Sequence, residues 1–282
     1  MGLVINTNTA AINAQRNLTS TQSSLNTSLS RLSSGMRITS AKDDAAGLAI
    51  SEKLKAQVRG LSQAERNAND GISLVQTAEG ALNEVSSSLI RMRELAVQAS
   101  TGTLGTEERE YLNDEFKALM TEIDRIANVT EFNGMYLLNG ASSGGVSFQV
   151  GLNDSTNDRI TVSIAAINTA SIGGTGAGNM LVSQSISTAT NAQDALDIID
   201  EAIKDISGAR GGLGAVQNRL QTTVNNLATQ RENISSANSR IRDVDVADET
   251  VSMTRSQILM QAGVSVLAQA NQLPSMALSL LG

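Results

Sequence analysis

Hydrophobic positions recur in sevens along two long stretches of the chain. From Leu54 the first series reads Leu54, Leu61, Ala68, Val75, Leu82, Leu89 and Ala96. Its companion is Gln57, Ala64, Gly71, Ala78, Val85, Met92 and Ala99. A 3.5-residue period predicts a helix that winds left-handedly around a partner. Such a helix is roughly 70 Å long at 1.5 Å per residue, more than an ordinary globular core requires. The partner pattern lies in the C-terminal half: Ile199, Ile206, Leu213, Leu220, Leu227, Ile234 and Ile241, with Ala195, Ala202, Ala209, Val216, Thr223, Gln230 and Ala237 beside it. A shorter third stripe, Leu112, Phe116, Leu119, Ile123 and Ile126, has the same alternation of fours and threes. Three such rods predict a mainly α, elongated antiparallel helical bundle.

Both ends are helical in pattern but poor in charge. Residues 1–30 hold one charged side chain, Arg16, and place Leu18, Leu25, Leu29 and Leu32 at helical spacing. Beyond Arg255 the chain carries no charge at all. There Leu259, Ala262, Val266, Ala270 and Leu273 form one stripe, which Met260, Val264 and Leu267 widen almost all round. A helix that is apolar nearly all round is a buried one. Gln257, Gln261, Gln269, Asn271 and Gln272 interrupt the run, and no Lys/Arg bias flanks it, so a membrane span fits poorly. Pairing of the two ends, and packing of the pairs on other copies, fits better.

Short junctions separate ends from rods. Ser33-Ser34-Gly35 closes the first helix, and residues 40–45 (SAKDDA) lead into the long one. On the return side Arg242 to Glu249 separates rod from tail. Asp243 and Asp245 start like a calcium loop, but Ala247 and Asp248 stand where a ligand and a glycine are needed, which leaves a solvated linker. The middle changes period. Val146, Phe148, Val150 and Leu152 alternate, as do Ile160, Val162 and Ile164, around a polar loop at 153–158; this predicts a β-hairpin. The run Gly173 to Gly178 lacks the Lys-Ser/Thr pair of a phosphate loop and reads as a flexible surface turn. Gly208, Gly211, Gly212 and Gly214 keep the heptad phase, which predicts a weakened but continuous helix.

Composition narrows the functions. Aromatics are 2% of the 282 residues, so the cores are thin aliphatic seams. A net charge of −7 does not suit nucleic acid. Cysteine and histidine are both absent, which removes disulfides, thiolate zinc sites, serine-protease triads and the commonest metal ligand. Acidic pairs such as Glu107-Glu108 follow Thr106, where a helix N-terminus favours them. No catalytic, metal or cofactor residues are predicted. The first nine residues lack the charged n-region and apolar run of a signal peptide.

Several motifs carry a family likeness: residues 4–8 (VINTN), 31–35 (RLSSG), 40–47 (SAKDDAAG), 67–73 (NANDGIS), 79–82 (EGAL), 93–97 (RELAV), 122–125 (EIDR) and 132–134 (FNG). On the return side are residues 214–220 (GAVQNRL) and Ser239-Arg240-Ile241 with Asp243, Asp245 and Ala247. These resemble bacterial flagellins over about 1–140 and 190–282. The resemblance implies a secreted, non-enzymatic subunit that self-assembles into the extracellular flagellar filament for motility. It implies an inner-core domain from 1–41 and 242–282, and an outer-core domain from 42–140 and 191–241. Residues 141–190 would be a short variable hairpin region in place of large outer domains. Implied partners are further copies of the chain, the flagellar type III export apparatus with its chaperone, the filament cap, hook-associated proteins and the host Toll-like receptor for flagellin. Nucleic acid, membrane and cofactors are not among them. The resemblance places a receptor-contact and subunit-packing surface at Arg91, Leu95 and Glu115, with Arg93, Glu94, Ala96 and Val97. A hook–filament junction protein and a membrane-inserting type III secretion translocator are the alternatives. A flagellin with a zinc-protease insert would need histidines this chain lacks.

Overall fold

The computed structural model describes residues 7–174 and 180–279, with side chains as far as residue 272. Helices dominate: α1 (Thr9–Ser34), α2 (Ala45–Ala99), α3 (Thr106–Val129), α4 (Ala189–Arg242) and α5 (Val246–Ser279). Strands β1 (Glu131–Phe132) and β2 (Met135–Tyr136) form one antiparallel hairpin, and β3 (Val146–Gln149) and β4 (Arg159–Val162) a second. The chain divides into two compact units, Met1–Val58 with Glu232–Gly282, and Arg59–Arg231. The junctions at residues 35–44 and 242–245, where the sequence pattern suggests boundaries, both lie inside the first unit.

In the larger unit the sevens of α2 form the core. Leu61, Ala64, Ala68, Gly71, Val75, Ala78, Leu82, Val85, Leu89, Met92, Ala96 and Ala99 are all buried. From Val75 onward they pack with Phe116, Ile123 and Ala127 of α3 and with Ala195, Ile199, Ala202, Ile206 and Leu213 of α4. On α4 the leading seam stays buried through Leu220 and Leu227, but the companion seam slips: Gln230 is exposed and Arg231 is half-buried, paired with Glu65 at 2.6 Å. A 3.6-residue helix lags about 20° per heptad, so an unsupercoiled stripe drifts one residue later after some five heptads. The four glycines of α4 leave the helix unbroken.

Local chemistry ends each helix. At the α2–α3 turn the Arg109 guanidinium donates to the carbonyls of Ala99 and Thr101, both at 2.9 Å, and so closes the C-terminal end of α2. Asn133 (φ 51°) and Gly134 (φ 76°) make the two-residue turn of the first hairpin, the left-handed pair that matches strand twist. The second hairpin holds the predicted register, Val146 opposite Val162 and Phe148 opposite Ile160. It lies on α2 at Gly71, where an added Cβ would stand 3.3 Å from both Phe148 and Leu220.

The middle segment is more than a surface turn. Ile164, Ile167, Ile172, Leu181 and Ile186 are buried in the helical core. Three polar anchors fix it. Asp124 accepts from the Thr169 amide and hydroxyl at 2.9 and 2.8 Å. Asn113 accepts from the Ile186 amide and the Ser185 hydroxyl, both at 3.0 Å. Asp205 accepts from the Gly173 amide at 3.2 Å. The flexible turn expected across 173–178 is thus corrected at its start, where Gly173 is pinned to α4; residues 175–178 lie outside the described part.

Candidate assembly and recognition surfaces

In the smaller unit α1 and α5 pack closely along their lengths. The side of α1 that is wholly or partly buried is Ala11, Ala14, Leu18, Thr21, Leu25, Ser28 and Leu32, at spacings of three and four. On α5 it is Met253, Ser256, Met260, Gly263, Leu267 and Ala270. Small residues at 256, 263 and 270, one per heptad, let the backbones approach: a Cβ on Gly263 would come within 3.0 Å of Leu18. Asn8 caps α1 by accepting from the Ala11 amide and also donates to the Ala270 carbonyl at 2.7 Å. Among the candidate assembly residues, Leu18, Leu25, Leu32 and Ala270 belong to this intramolecular seam. Leu29, Leu259, Ala262 and Val266 are exposed and flank it. The Leu273 side chain lies outside the described residues.

The exposed set is therefore a second apolar face. Ile258, Leu259, Val264 and Val266 of α5 are each more than half exposed, and Ile12 and Leu29 of α1 are open as well. Hydropathy alone does not separate the two faces of α5. The regular small residues do mark the inner one, and that signal was available in the sequence. No helix among the described residues is long and apolar enough to cross a membrane.

The opposite end of this unit is a tight junction. Gly35 takes φ 70° and ends α1. The strand-like crossing of Met36 and Asp243 is flanked by Arg37 N–H to Arg242 carbonyl at 2.7 Å and Val244 N–H to Gly35 carbonyl at 3.1 Å. Asp43 accepts from the Thr39 and Ser40 hydroxyls and amides, and these hydrogen bonds, that from the Thr39 hydroxyl foremost, hold its carboxylate below the usual range. Asp44 caps α2 through the Gly47 amide at 2.8 Å, and Asp245 caps α5 through the Ala247 amide at 2.9 Å. Asp243 and Asp245, which open like a calcium loop, thus serve as a chain-crossing residue and a helix cap.

On the larger unit the predicted recognition residues split. Arg91 bridges Glu115 at 2.8 Å and Glu94 at 2.9 Å, and Arg93 binds Asp200 at 2.6 Å, on an exposed face that Val97 shares. The hydrogen bonds from Arg93 hold the Asp200 carboxylate below its ordinary range. Leu95 and Ala96, by contrast, are 0% exposed. They are core residues of α2, and a contact role for their side chains in the folded chain is corrected. Ala96 lies in the leading seam of sevens, and Leu95, in neither seam, sits beside it on the buried side between Met92 and Ala99.

Residues 5–143 match the family model for the bacterial flagellin N-terminal helical region, and residues 196–281 match that for the C-terminal helical region. The chain belongs to the bacterial flagellin family. A flagellin of Halalkalibacterium halodurans is 49% identical over 99% of this chain and all of its own length. The flagellin of Bacillus subtilis is 45% identical over 98% of this chain and 99% of its own. A solved structure from Vibrio parahaemolyticus, assigned as a flagellar hook-associated protein, superposes with a TM-score of 0.61 at 18% identity. It covers 71% of this chain and all of that one, and speaks for the fold alone. The junction-protein and translocator alternatives are not favoured. This flagellin is a structural subunit that polymerises with its own copies into the extracellular flagellar filament.

Proposed function

We propose that this flagellin leaves the cell unfolded through the flagellar type III export channel, escorted by an export chaperone. It then polymerises at the distal tip beneath the filament cap, above the hook-associated proteins. In this reading residues 1–41 and 242–282 line the inner tube. Residues 42–140 and 191–241 build the outer wall, and residues 141–190 form its short hairpin region. The observation that carries it is the second apolar face of the α1–α5 pair: Leu259, Ala262 and Val266, with Ile12 and Leu29, are open to water in the single chain. Further copies of the chain offer a matching apolar surface, and on the α5 side the segment beyond Arg255 carries no charge to oppose that packing. Limited proteolysis tests it. The ends should be trimmed from the monomer and spared in the filament; equal protection in both states would count against the proposal.

The exposed lattice of Arg91, Arg93, Glu94, Val97 and Glu115 is, in the same reading, where the host Toll-like receptor for flagellin binds. Arg91→Ala removes the bridge to Glu115 and should weaken receptor activation with no change in monomer helix content. Unchanged signalling across a dose series would exclude the site.

A further inference from the structure

The two ends of the larger unit carry matching chemistry. Leu61 and Ala99 lie near the two ends of its share of α2 and are roughly 57 Å apart at 1.5 Å per residue. At the Ala99 end, Tyr111 projects from the second turn of α3 with 74% of its surface exposed. It is one of two tyrosines in the chain, and Glu107, Glu108 and Glu110, all exposed, precede it within one turn. Arg109, the one cation of that turn, is spent on the carbonyls of Ala99 and Thr101. At the Leu61 end, the tip of the second hairpin and the face of α4 enclose a groove of about 800 Å³. Its floor includes Leu61, Val150, Leu152 and Leu227, and its α4 rim carries Arg219 and Asn226. On the hairpin wall Arg159 is tied to Asp154, and the Asp158 carboxylate turns in against Gly151. Arg219 is exposed and pairs with no carboxylate among the described residues, so it is the cation left open at the rim.

A filament is an open assembly. It needs a heterologous contact, in which one patch of a subunit meets a different patch of the next, because a self-complementary patch closes into a dimer. We propose that this contact is Tyr111 of one copy seated in the Leu61–Leu227 groove of the next copy, with the acidic first turn of α3 against Arg219. An exposed aromatic with a polar tip is the residue type that anchors interfaces, and an apolar floor under an amide and guanidinium rim receives both its parts. The opposed charges fix polarity: acid lies on one end of the unit and the open cation on the other, so head-to-tail stacking is favoured and head-to-head contact is repelled. This inference rests on the filament reading above.

The absence of cysteine gives a clean test. In the full-length chain, Asp114→Cys, one helical turn from Tyr111, combined with Thr222→Cys on the α4 side of the groove, should, after assembly and treatment with a short thiol-to-thiol cross-linker, produce a ladder of linked multimers on a denaturing gel. Each single variant should give none beyond a dimer. A second measurement does not depend on the cross-link. Arg219→Glu should raise the critical concentration for polymerisation by about tenfold or more, through like charges brought together. Reversing Glu107, Glu108 and Glu110 to Lys in the same chain should bring it back to within about threefold of wild type. Filaments that form normally without the ladder, or an Arg219→Glu defect that the reversed acids do not relieve, would overturn the proposal. Failure of the unaltered chain to form filaments at all would fall on the filament reading instead.

Discussion

Val266→Asp separates the two apolar faces of α5. Val266 is 53% exposed in the single chain and lies off the α1 seam, whereas its neighbour Leu267 is turned toward that seam. In the monomer the substitution places a charge in water on a helix surface, where changes stay within about 0.5 kcal/mol. In the proposed filament packing the open half of the side chain is covered. Losing that burial costs about 1 kcal/mol, half of a full valine. Stripping water from an unpaired carboxylate costs several kcal/mol more. A total near 4 kcal/mol corresponds to a rise of about 10³ in the critical concentration for assembly. Leu267→Asp attacks the α1–α5 seam instead and should lower monomer helix stability as well. The assay is paired: thermal melting of the monomer by circular dichroism, and polymer yield by sedimentation. A melting loss in Val266→Asp equal to that in Leu267→Asp would refute the two-face reading, and so would normal filament yield.

Three further outcomes follow from the packing. Leu89→Ala opens a cavity in the α2 seam, where Leu89 is fully buried, and should cost about 2–5 kcal/mol in urea unfolding of the monomer. Nothing lies within 4 Å of a Cβ built on Gly208, Gly211, Gly212 or Gly214. Replacing all four by Ala should therefore raise monomer stability by about 2–4 kcal/mol, read as a higher urea midpoint, and no gain would show that α4 needs its glycines in the single chain. The depressed Asp43 carboxylate makes a contribution that is complete above the ordinary carboxylate range and is lost as pH falls through its lowered value. A carbon-13 titration should find that value below 3.8 and find it restored by Thr39→Ala with Ser40→Ala.

The helices were legible because their determinants are local and periodic. Sevens without a stutter over Leu54–Ala99 fix both a helix and the face it buries, and the buried residues from Leu61 to Ala99 follow them. The end of α1 at Gly35 was legible too, and the leader at residues 40–45 holds Asp44, which the structure shows to cap α2. The middle segment was not. Its hold on the core depends on Asp124, Asn113 and Asp205, which meet Thr169, Ile186 and Gly173 across 32 to 73 residues of sequence. No short window contains both partners. The first hairpin was not read from the sequence: Asn133-Gly134 is a hairpin-turn pair, but strands of two residues are too short to show alternation. For α5 hydropathy showed that the helix is apolar but, being nearly uniform around it, not which face meets α1; only the small residues at 256, 263 and 270 carry that signal. The recognition stripe at residues 93–97 crosses both faces of α2, so a contiguous motif joined surface residues to core ones.

Negative-stain microscopy of the purified full-length chain, incubated above its critical concentration with no nucleotide, metal or enzyme added, bears most directly on self-assembly without covalent chemistry. Long filaments of uniform diameter, pelleting on centrifugation and dissolving again to intact monomer, are the predicted result. A chain that stays monomeric under those conditions, or that binds liposomes without forming filaments, would contradict it.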